Sequence, residues 1–162
     1  MIMKENDGDL MVMIANTLMG KVKGHLIIAQ GCNCHITQGS GVAGQLREYP
    51  TVFEADQEFG RYADKSKLGE YSIAAIGDNV TVLNMYTQFG YGTNTRHANY
   101  SAIAHCFARA NLEFGSYTIV IPKIGSDLAG GDWDIIEQII DDATPELAVT
   151  VLNYVGGIDP RI

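Results

Sequence analysis

The feature that most constrains the fold is an alternation of short apolar runs with helical patterns along the whole chain. Several runs are apolar on both faces, which is typical of strands that helices cover on either side. This order predicts a single domain over residues 1–162, a three-layer α/β/α fold with a central mixed sheet of about six strands. The predicted strands are residues 10–15, 25–30, 71–76, 80–86, 117–122 and 147–155, and the predicted helices are 42–49, 51–60, 98–114 and 133–142, the last with Asp132 as N-cap.

Composition and charge narrow the possible functions. Apolar residues make up 46% of the chain, but no apolar run approaches the roughly 20 residues that span a bilayer. The net charge is −8 and the sequence has no Lys/Arg cluster, which disfavours general binding to nucleic-acid backbones. The three cysteines are an odd number, and the N-terminus has no apolar signal core. We therefore expect a cytoplasmic monomer with no membrane partner.

Three glycine-rich segments follow predicted strands. They are GCNCHITQGSGVAG (31–44), TQFGYGTNTRH (87–97) and PKIGSDLAGGDW (122–133). Ligands of α/β sheets bind where the carboxyl ends of the strands and their loops meet. The sequence therefore predicts one binding site at that edge of the sheet.

The first of these segments does not match a metal site or an activated nucleophile. Cys32 and Cys34 are separated by one residue, whereas structural zinc sites use wider pairs, so we expect no metal even with His35 beside them. A phosphatase cysteine also needs a downstream arginine, and this segment contains none. The phosphate-binding loop of nucleotide hydrolases fails as well, because Gln45 and Leu46 stand where Lys and Ser/Thr are required.

A dinucleotide fingerprint is a closer match. Gly39, Gly41 and Gly44 fit G-x-G-x-x-G between a strand and a helix. However, polar residues 31–38 separate the strand from the first glycine, and no acidic residue ends a second strand at the required distance. What these motifs share is a glycine backbone that approaches an anion at the start of a helix. The segment therefore predicts an anion-binding loop, and a nicotinamide-dinucleotide oxidoreductase stays open as an alternative.

Two motifs in the right order resemble those of the macrodomain family of ADP-ribose-binding proteins. Asn33 ends a strand and is followed by GSGVAGQL, and the second loop is PKIGSDLAGGDW. The resemblance covers nearly the whole chain. It is strongest for the small branch that includes ADP-ribose 1''-phosphate phosphatases and related phage proteins, whose loops resemble GCNCH and TQFGYG. The resemblance implies the α/β/α fold, a small-molecule ligand of the ADP-ribose type and no cofactor.

The resemblance also implies roles for individual residues. Asn16 would contact adenine, with Thr17 and Leu18 beside it, and Asn33 would bind the distal ribose. Phe89 or Tyr91 would flank that ribose. The diphosphate would lie between two sets of loop residues, which are Gly39, Ser40, Gly41 and Val42 on one side and Gly125, Ser126, Asp127, Leu128, Ala129 and Gly130 on the other.

The chain departs from the family at the positions used to remove ADP-ribose from proteins. Gln88 stands where one branch has a lysine, and Ala129 where that branch has an acid. Ala43 stands where another branch has an aspartate. The resemblance therefore favours hydrolysis of ADP-ribose 1''-phosphate, with His35 and Asp127 as candidate acid and base. The alternatives are a non-catalytic reader or sequestering module and a de-ADP-ribosylating hydrolase with another residue set.

Overall fold

One mixed sheet of six strands organises the chain. The computed structural model describes residues 1–38, 41–91, 96–126 and 129–162. The strands are β1 Ile2–Gly8, β2 Leu26–Cys32, β3 Tyr71–Ile76, β4 Val80–Tyr86, β5 Thr118–Ile121 and β6 Ala148–Tyr154. Their order in the sheet is β1-β6-β5-β2-β4-β3. Five strands are parallel, and β3 pairs antiparallel with β4 at one edge.

Helices cover both faces of this sheet, so the predicted three-layer α/β/α fold is confirmed. One core cluster packs α4 and α5 against the sheet around Ile119 and Phe107, and the other packs α1, α2 and α3 around Ile28. No helix within the described ranges is long and apolar enough to cross a membrane. The helices are α1 Leu10–Leu18, α2 Gly41–Leu46, α3 Pro50–Glu58, α4 Tyr100–Phe114 and α5 Trp133–Ala143, with a short 3-10 turn at Lys65–Lys67.

The prediction of a strand at residues 10–15 is wrong, because these residues lie in α1. Leu10, Met13, Ile14 and Thr17 are buried at helical spacing, and Asp9 caps the helix by accepting a hydrogen bond from the Met11 N–H at 3.0 Å. The first strand is instead Ile2–Gly8, which was not predicted. It is an edge strand that pairs only with β6 and is largely exposed, so it lacks the apolar pattern of a covered strand.

The other predicted elements are confirmed to within a few residues. Asp132 does cap α5, since its carboxylate accepts a hydrogen bond from the Asp134 N–H at 2.9 Å. The parallel arrangement places the carboxyl ends of β1, β6, β5, β2 and β4 at one edge of the sheet, here called the carboxyl edge. The segments that follow β2, β4 and β5 therefore begin at this edge.

The C-terminal segment is clamped onto α1 by a charged pair. The Arg161 guanidinium donates to Asp159 Oδ2 at 2.8 Å and to the Met13 carbonyl at 2.8 Å, and Asn16 donates to the same carboxylate at 3.1 Å. Burial alone would raise the pKa of Asp159, but these hydrogen bonds outweigh it and lower the pKa to about 2. The ionised carboxylate therefore stabilises the folded state.

The hydrogen bonds of Asp159 predict how the stability of the fold changes at acidic pH. Because the pKa is lower in the folded than in the unfolded chain, the stabilisation is present above about pH 4 and is lost as the pH falls towards about 2. At pH 6, the free energy of unfolding of the Asp159→Asn variant should be roughly 2 kcal/mol lower than that of the wild type. Urea unfolding of both proteins between pH 6 and pH 2.5 measures this. A constant difference across the range would contradict the role of the ionised carboxylate.

Candidate functional site

A cavity of about 790 Å³ opens at the carboxyl edge of the sheet. This volume lies in the range of small-molecule sites in proteins. Its floor consists of strand ends, and α2 and the segments that follow β2, β4 and β5 form the walls. The lining residues from the strand ends, the first residue after β2 and the segment after β5 are Gly8, Gly31, Cys32, Asn33, Val120, Ile121, Pro122, Lys123, Ile124, Gly125, Ser126, Ala129, Leu152, Asn153 and Tyr154.

Glycine is required where the segment after β5 turns along the cavity. Gly125 has φ +77°, a left-handed conformation that residues with side chains avoid. Gly131 donates its N–H to the Gly125 carbonyl at 2.7 Å, and a Cβ at Gly131 would lie only 2.5 Å from that oxygen. The Ser126 hydroxyl closes the turn by donating to the Lys123 carbonyl at 2.7 Å. These contacts therefore join the described residues 123–126 to Gly131 before any ligand binds.

The segment after β2 is held by its own polar side chains. Asn33 Nδ2 donates to Thr37 Oγ1 at 2.6 Å, and its Oδ1 accepts from the His35 N–H at 2.8 Å. Ile36 and Gln38 have φ values of +58° and +37°, although neither is glycine. Left-handed backbone at such residues costs on the order of 1–3 kcal/mol each and is found where the surroundings enforce it. The segment is therefore strained as it enters the cavity wall.

His35 lies beside the cavity, under an aromatic cluster. Its ring makes edge contacts with Phe89, Tyr91 and Tyr62, at centroid distances of 4.7, 5.5 and 5.4 Å. Its Nδ1 lies 2.8 Å from the Phe89 carbonyl, and since a carbonyl only accepts, this nitrogen carries the proton. His35 does not belong to the cavity wall that the described residues form. It joins the segment after β2 to that after β4.

The cysteines are not activated as nucleophiles. Burial raises the pKa of Cys34 to about 11 and that of Cys106 to about 12, and it raises the pKa of Cys32 well above the usual value. All three are therefore protonated at neutral pH, and only the thiolate is a strong nucleophile. Within the parts of the chain that the structure describes, no group of three His, Cys, Asp or Glu residues is placed to hold a metal ion.

The expected adenine contact at Asn16 is corrected by the structure. Asn16, Thr17 and Leu18 lie at the C-terminal end of α1, which runs away from the carboxyl edge. The Thr17 carbonyl accepts from Asn79 Nδ2 at 2.8 Å, in the turn between β3 and β4 at the opposite edge of the sheet. The physical reason is that residues 10–18 form a helix, which carries Asn16 away from the strand ends.

The remaining candidate residues fall into three groups. Asn33, Val42, Tyr91, Gly125, Ser126 and Ala129 line the cavity, so the structure brings these together. Gly41 begins α2, Gly130 follows Ala129 with φ +73°, and Phe89 packs against Cys32, Cys34 and Tyr86. The other four candidates, Gly39, Ser40, Asp127 and Leu128, lie outside the described residues.

Sequence reasoning missed two parts of the cavity. One is the end formed by Gly8, Leu10 and Tyr154, where the helical spacing of Leu10, Met13 and Ile14 was the available signal for a helix that begins at the cavity. The other is a polar wall that contains Gln30, Gln38 and Asp56. Nothing in the local sequence marks this wall, because Asp56 comes from α3, far along the chain from β2.

The cavity is therefore apolar at one end and polar at the other. Leu10, Val120 and Leu152 lie together at the end near β1 and β6, beside the exposed ring of Tyr154. Among the described lining residues, Asp56 is the one with a carboxyl side chain and Lys123 the one with a Lys or Arg side chain. Lys123 is already paired, since its Nζ lies 3.3 Å from Glu5 Oε1. An anionic ligand would therefore depend mainly on backbone N–H groups.

A phage protein is similar to this chain over almost its full length. The chain is 38% identical, over 163 residues, to an uncharacterized 17.5 kDa protein in the tk-vs intergenic region of enterobacteria phage T4. The similarity covers 95% of this chain and 97% of the phage protein. No family model matches the sequence.

Solved macrodomain structures share the fold. A macrodomain protein from Streptomyces coelicolor is 25% identical, with a TM-score of 0.69, over 94% of this chain and 100% of that chain. Thermosipho africanus DarTG, solved in complex with ADP-ribose, is 16% identical, with a TM-score of 0.61, over 85% of this chain and 40% of that chain. At this identity the second similarity demonstrates the fold alone.

The hydrogen bond from His35 to the Phe89 carbonyl predicts different hydrogen-exchange rates in the His35→Asn and His35→Gln variants. Asn can place its Nδ2 where His places Nδ1, whereas the amide nitrogen of Gln corresponds to Nε2. Both variants lose the ring contacts, but only His35→Asn keeps the donor to the Phe89 carbonyl. The Cys34 N–H donates to the same carbonyl, so its hydrogen exchange should be about fivefold faster in His35→Gln than in His35→Asn. Equal exchange rates in the two variants would contradict the anchoring role.

Proposed function

This chain belongs to the macrodomain family, and we propose that it binds ADP-ribose in the cavity at the carboxyl edge of its sheet. The observation that carries this proposal is the lining of one cavity by residues of both glycine-rich segments, Val42 from one and Gly125 and Ser126 from the other. A diphosphate between them would meet backbone N–H groups, which bind anions without a lysine. Thermosipho africanus DarTG, which shares this fold over 40% of its chain, was solved in complex with ADP-ribose, the ligand that we propose here.

The two ends of the cavity suit the two ends of ADP-ribose. The apolar end at Leu10, Val120 and Leu152 suits the adenine, and the exposed ring of Tyr154 at its rim can stack on the base. The opposite end contains Asn33 and Tyr91, whose polar groups suit a ribose with free hydroxyls. The diphosphate then spans the middle, where the two loops meet.

We further propose that the protein hydrolyses ADP-ribose 1''-phosphate. Ala43 and Ala129 line the cavity without a carboxylate, and the Gln88 amide donates to the Gly90 carbonyl at 2.7 Å, so the groups of the two glycohydrolase routes are missing. In the proposed reaction a water attacks the phosphorus, the bond between phosphorus and the 1'' oxygen breaks, and that oxygen takes a proton. Backbone N–H groups would stabilise the phosphoryl oxygens. Asp127 stays the proposed proton-transferring group, while His35 is reassigned to loop support.

Binding without chemistry is the second candidate, and one observation favours it. Asp56 is the one described carboxylate in the cavity wall, and it is fully buried and accepts two hydrogen bonds. It is therefore poorly placed to exchange protons with a substrate. A reader or sequestering module needs only the cavity. A de-ADP-ribosylating hydrolase and a nicotinamide-dinucleotide oxidoreductase have no comparable support from the site.

Phosphorus NMR tests both the proposed binding of ADP-ribose and the proposed hydrolysis of its 1''-phosphate. Adding the protein to ADP-ribose should shift or broaden the diphosphate resonances, and NAD should respond less, because its nicotinamide occupies the space next to the distal ribose. With ADP-ribose 1''-phosphate, inorganic phosphate should appear, and Asp127→Asn should slow its release by on the order of a hundredfold. Binding without phosphate release would favour the reader, and an equal response to NAD would favour the oxidoreductase.

Matched tyrosine variants serve as controls in the same titration. Tyr154→Ala removes the proposed stacking ring and should weaken ADP-ribose binding about fivefold, whereas Tyr154→Phe should bind as the wild type does. Tyr117 is also exposed but lies away from the cavity, so Tyr117→Ala should leave binding unchanged. Equal effects of Tyr154→Ala and Tyr117→Ala would contradict the assignment of the adenine end.

A further inference from the structure

A buried hydrogen-bond network lies between the sheet and α3 and extends into the polar wall of the cavity. Gln30, Asn84 and Ser72 occupy matching register positions on three neighbouring strands. Asn84 Nδ2 donates to Ser72 Oγ at 3.0 Å, and Asn84 Oδ1 accepts from Gln30 Nε2 at 2.7 Å. Gln30 Nε2 also lies 3.5 Å from Gln38 Oε1. The network therefore runs from the edge strand β3 to the cavity.

Asp56 is the acceptor at which this network ends. Its side chain is 0% exposed, and its two carboxylate oxygens accept from Gln38 Nε2 at 2.9 Å and from the Tyr86 hydroxyl at 2.8 Å. Both donors are neutral, and none of the ion pairs formed by the described residues includes Asp56. A carboxylate buried with neutral donors alone is costly, so stability is a poor reason for its presence.

Gln38 connects Asp56 to the cavity. It is 4% exposed, lines the cavity and precedes the residues that lead into α2. Its backbone is left-handed, as is that of Ile36 two residues earlier. Neither residue type favours this conformation, so the surroundings must hold it. The bond from Gln38 Nε2 to Asp56 is a side-chain constraint on this turn from outside the segment.

We propose that Asp56 is a positioning residue for the ligand. Its carboxylate holds Gln38, and through Gln38 the left-handed turn at residues 36–38, in the conformation that shapes the cavity wall. The inference rests on the proposed function for the identity of the ligand, but its geometric part can be tested without one. Asp56 acts through Gln38 and does not itself exchange a proton with the substrate.

The test measures ADP-ribose affinity by calorimetry at a temperature well below unfolding. Asp56→Ala removes the acceptor and should weaken binding about tenfold, the effect of losing one hydrogen bond. Asp56→Asn can still accept from Gln38 and donate to Tyr86, so it should bind within about twofold of the wild type. Asp142→Ala, an exposed aspartate on α5, is the matched control and should bind normally.

A second substitution, Gln38→Gly, should partly restore the ADP-ribose affinity that Asp56→Ala loses. Glycine adopts positive φ without a side-chain tether, so Asp56→Ala combined with Gln38→Gly should bind more tightly than Asp56→Ala alone. A purely structural role of Asp56 predicts unchanged affinity in every folded variant, and that result would overturn the proposal. Failure of the double variant to recover affinity would also overturn it, because the backbone of residue 38 would then not be the route.

Whether Asp56 holds the left-handed turn at residues 36–38 can be measured in the unliganded protein. NMR couplings and Cα shifts of Ile36 and Gln38 should report left-handed backbone in the wild type and a changed conformation in Asp56→Ala. If the wild type does not bind ADP-ribose but these signals change as expected, the proposed function fails and the positioning role stands. If the signals are the same in both proteins, the positioning role fails whatever the ligand is.

Discussion

The structure depends on the parallel pairing of five strands, whose carboxyl ends all lie at one edge of the sheet. Parallel strands cannot be joined by tight turns, so the chain crosses between them and covers both faces with helices and loops. This explains why Ile28 and Ile119, which face opposite layers, are both completely buried. It also explains why segments far apart in the chain begin at one cavity. Gly8 and Gly31 line this cavity, and a Cβ at either position would lie within 3.0 Å of a neighbouring side chain, so the chain packs more closely there than other residues allow.

The polar wall of the cavity contains residues whose backbone conformation or burial is unfavourable for their residue type. Ile36 and Gln38 adopt left-handed backbone, and Asp56 is buried with neutral donors only. Apolar packing on both faces of the sheet supplies the stability that offsets these costs, as is usual where strain is kept at a functional site. The cavity wall is therefore organised before a ligand arrives, which limits the ordering that binding requires.

Sequence patterns predicted those parts of the fold that follow from local periodicity. The buried strand at residues 80–86 and the cap at Asp132 are examples, since burial or capping shows directly in the residue types. The chain at residues 10–15 was mistaken for a strand, because a short apolar run fits either structure and the helical spacing becomes evident only with Asp9 as cap. The polar edge strand Ile2–Gly8 gave no such signal. Asp56 could not be predicted, because its role arises from contacts between α3, β4 and the segment after β2.

A crystal structure of the protein with ADP-ribose would locate the ligand directly. Adenine should lie between Leu10 and Tyr154, the diphosphate between Val42 and Ser126, and the distal ribose beside Asn33, with the turn at residues 36–38 unchanged from the unliganded protein. Adenine at the opposite edge of the sheet, beside Asn16, would show that the proposed binding mode is wrong, as would a ligand bound outside the cavity.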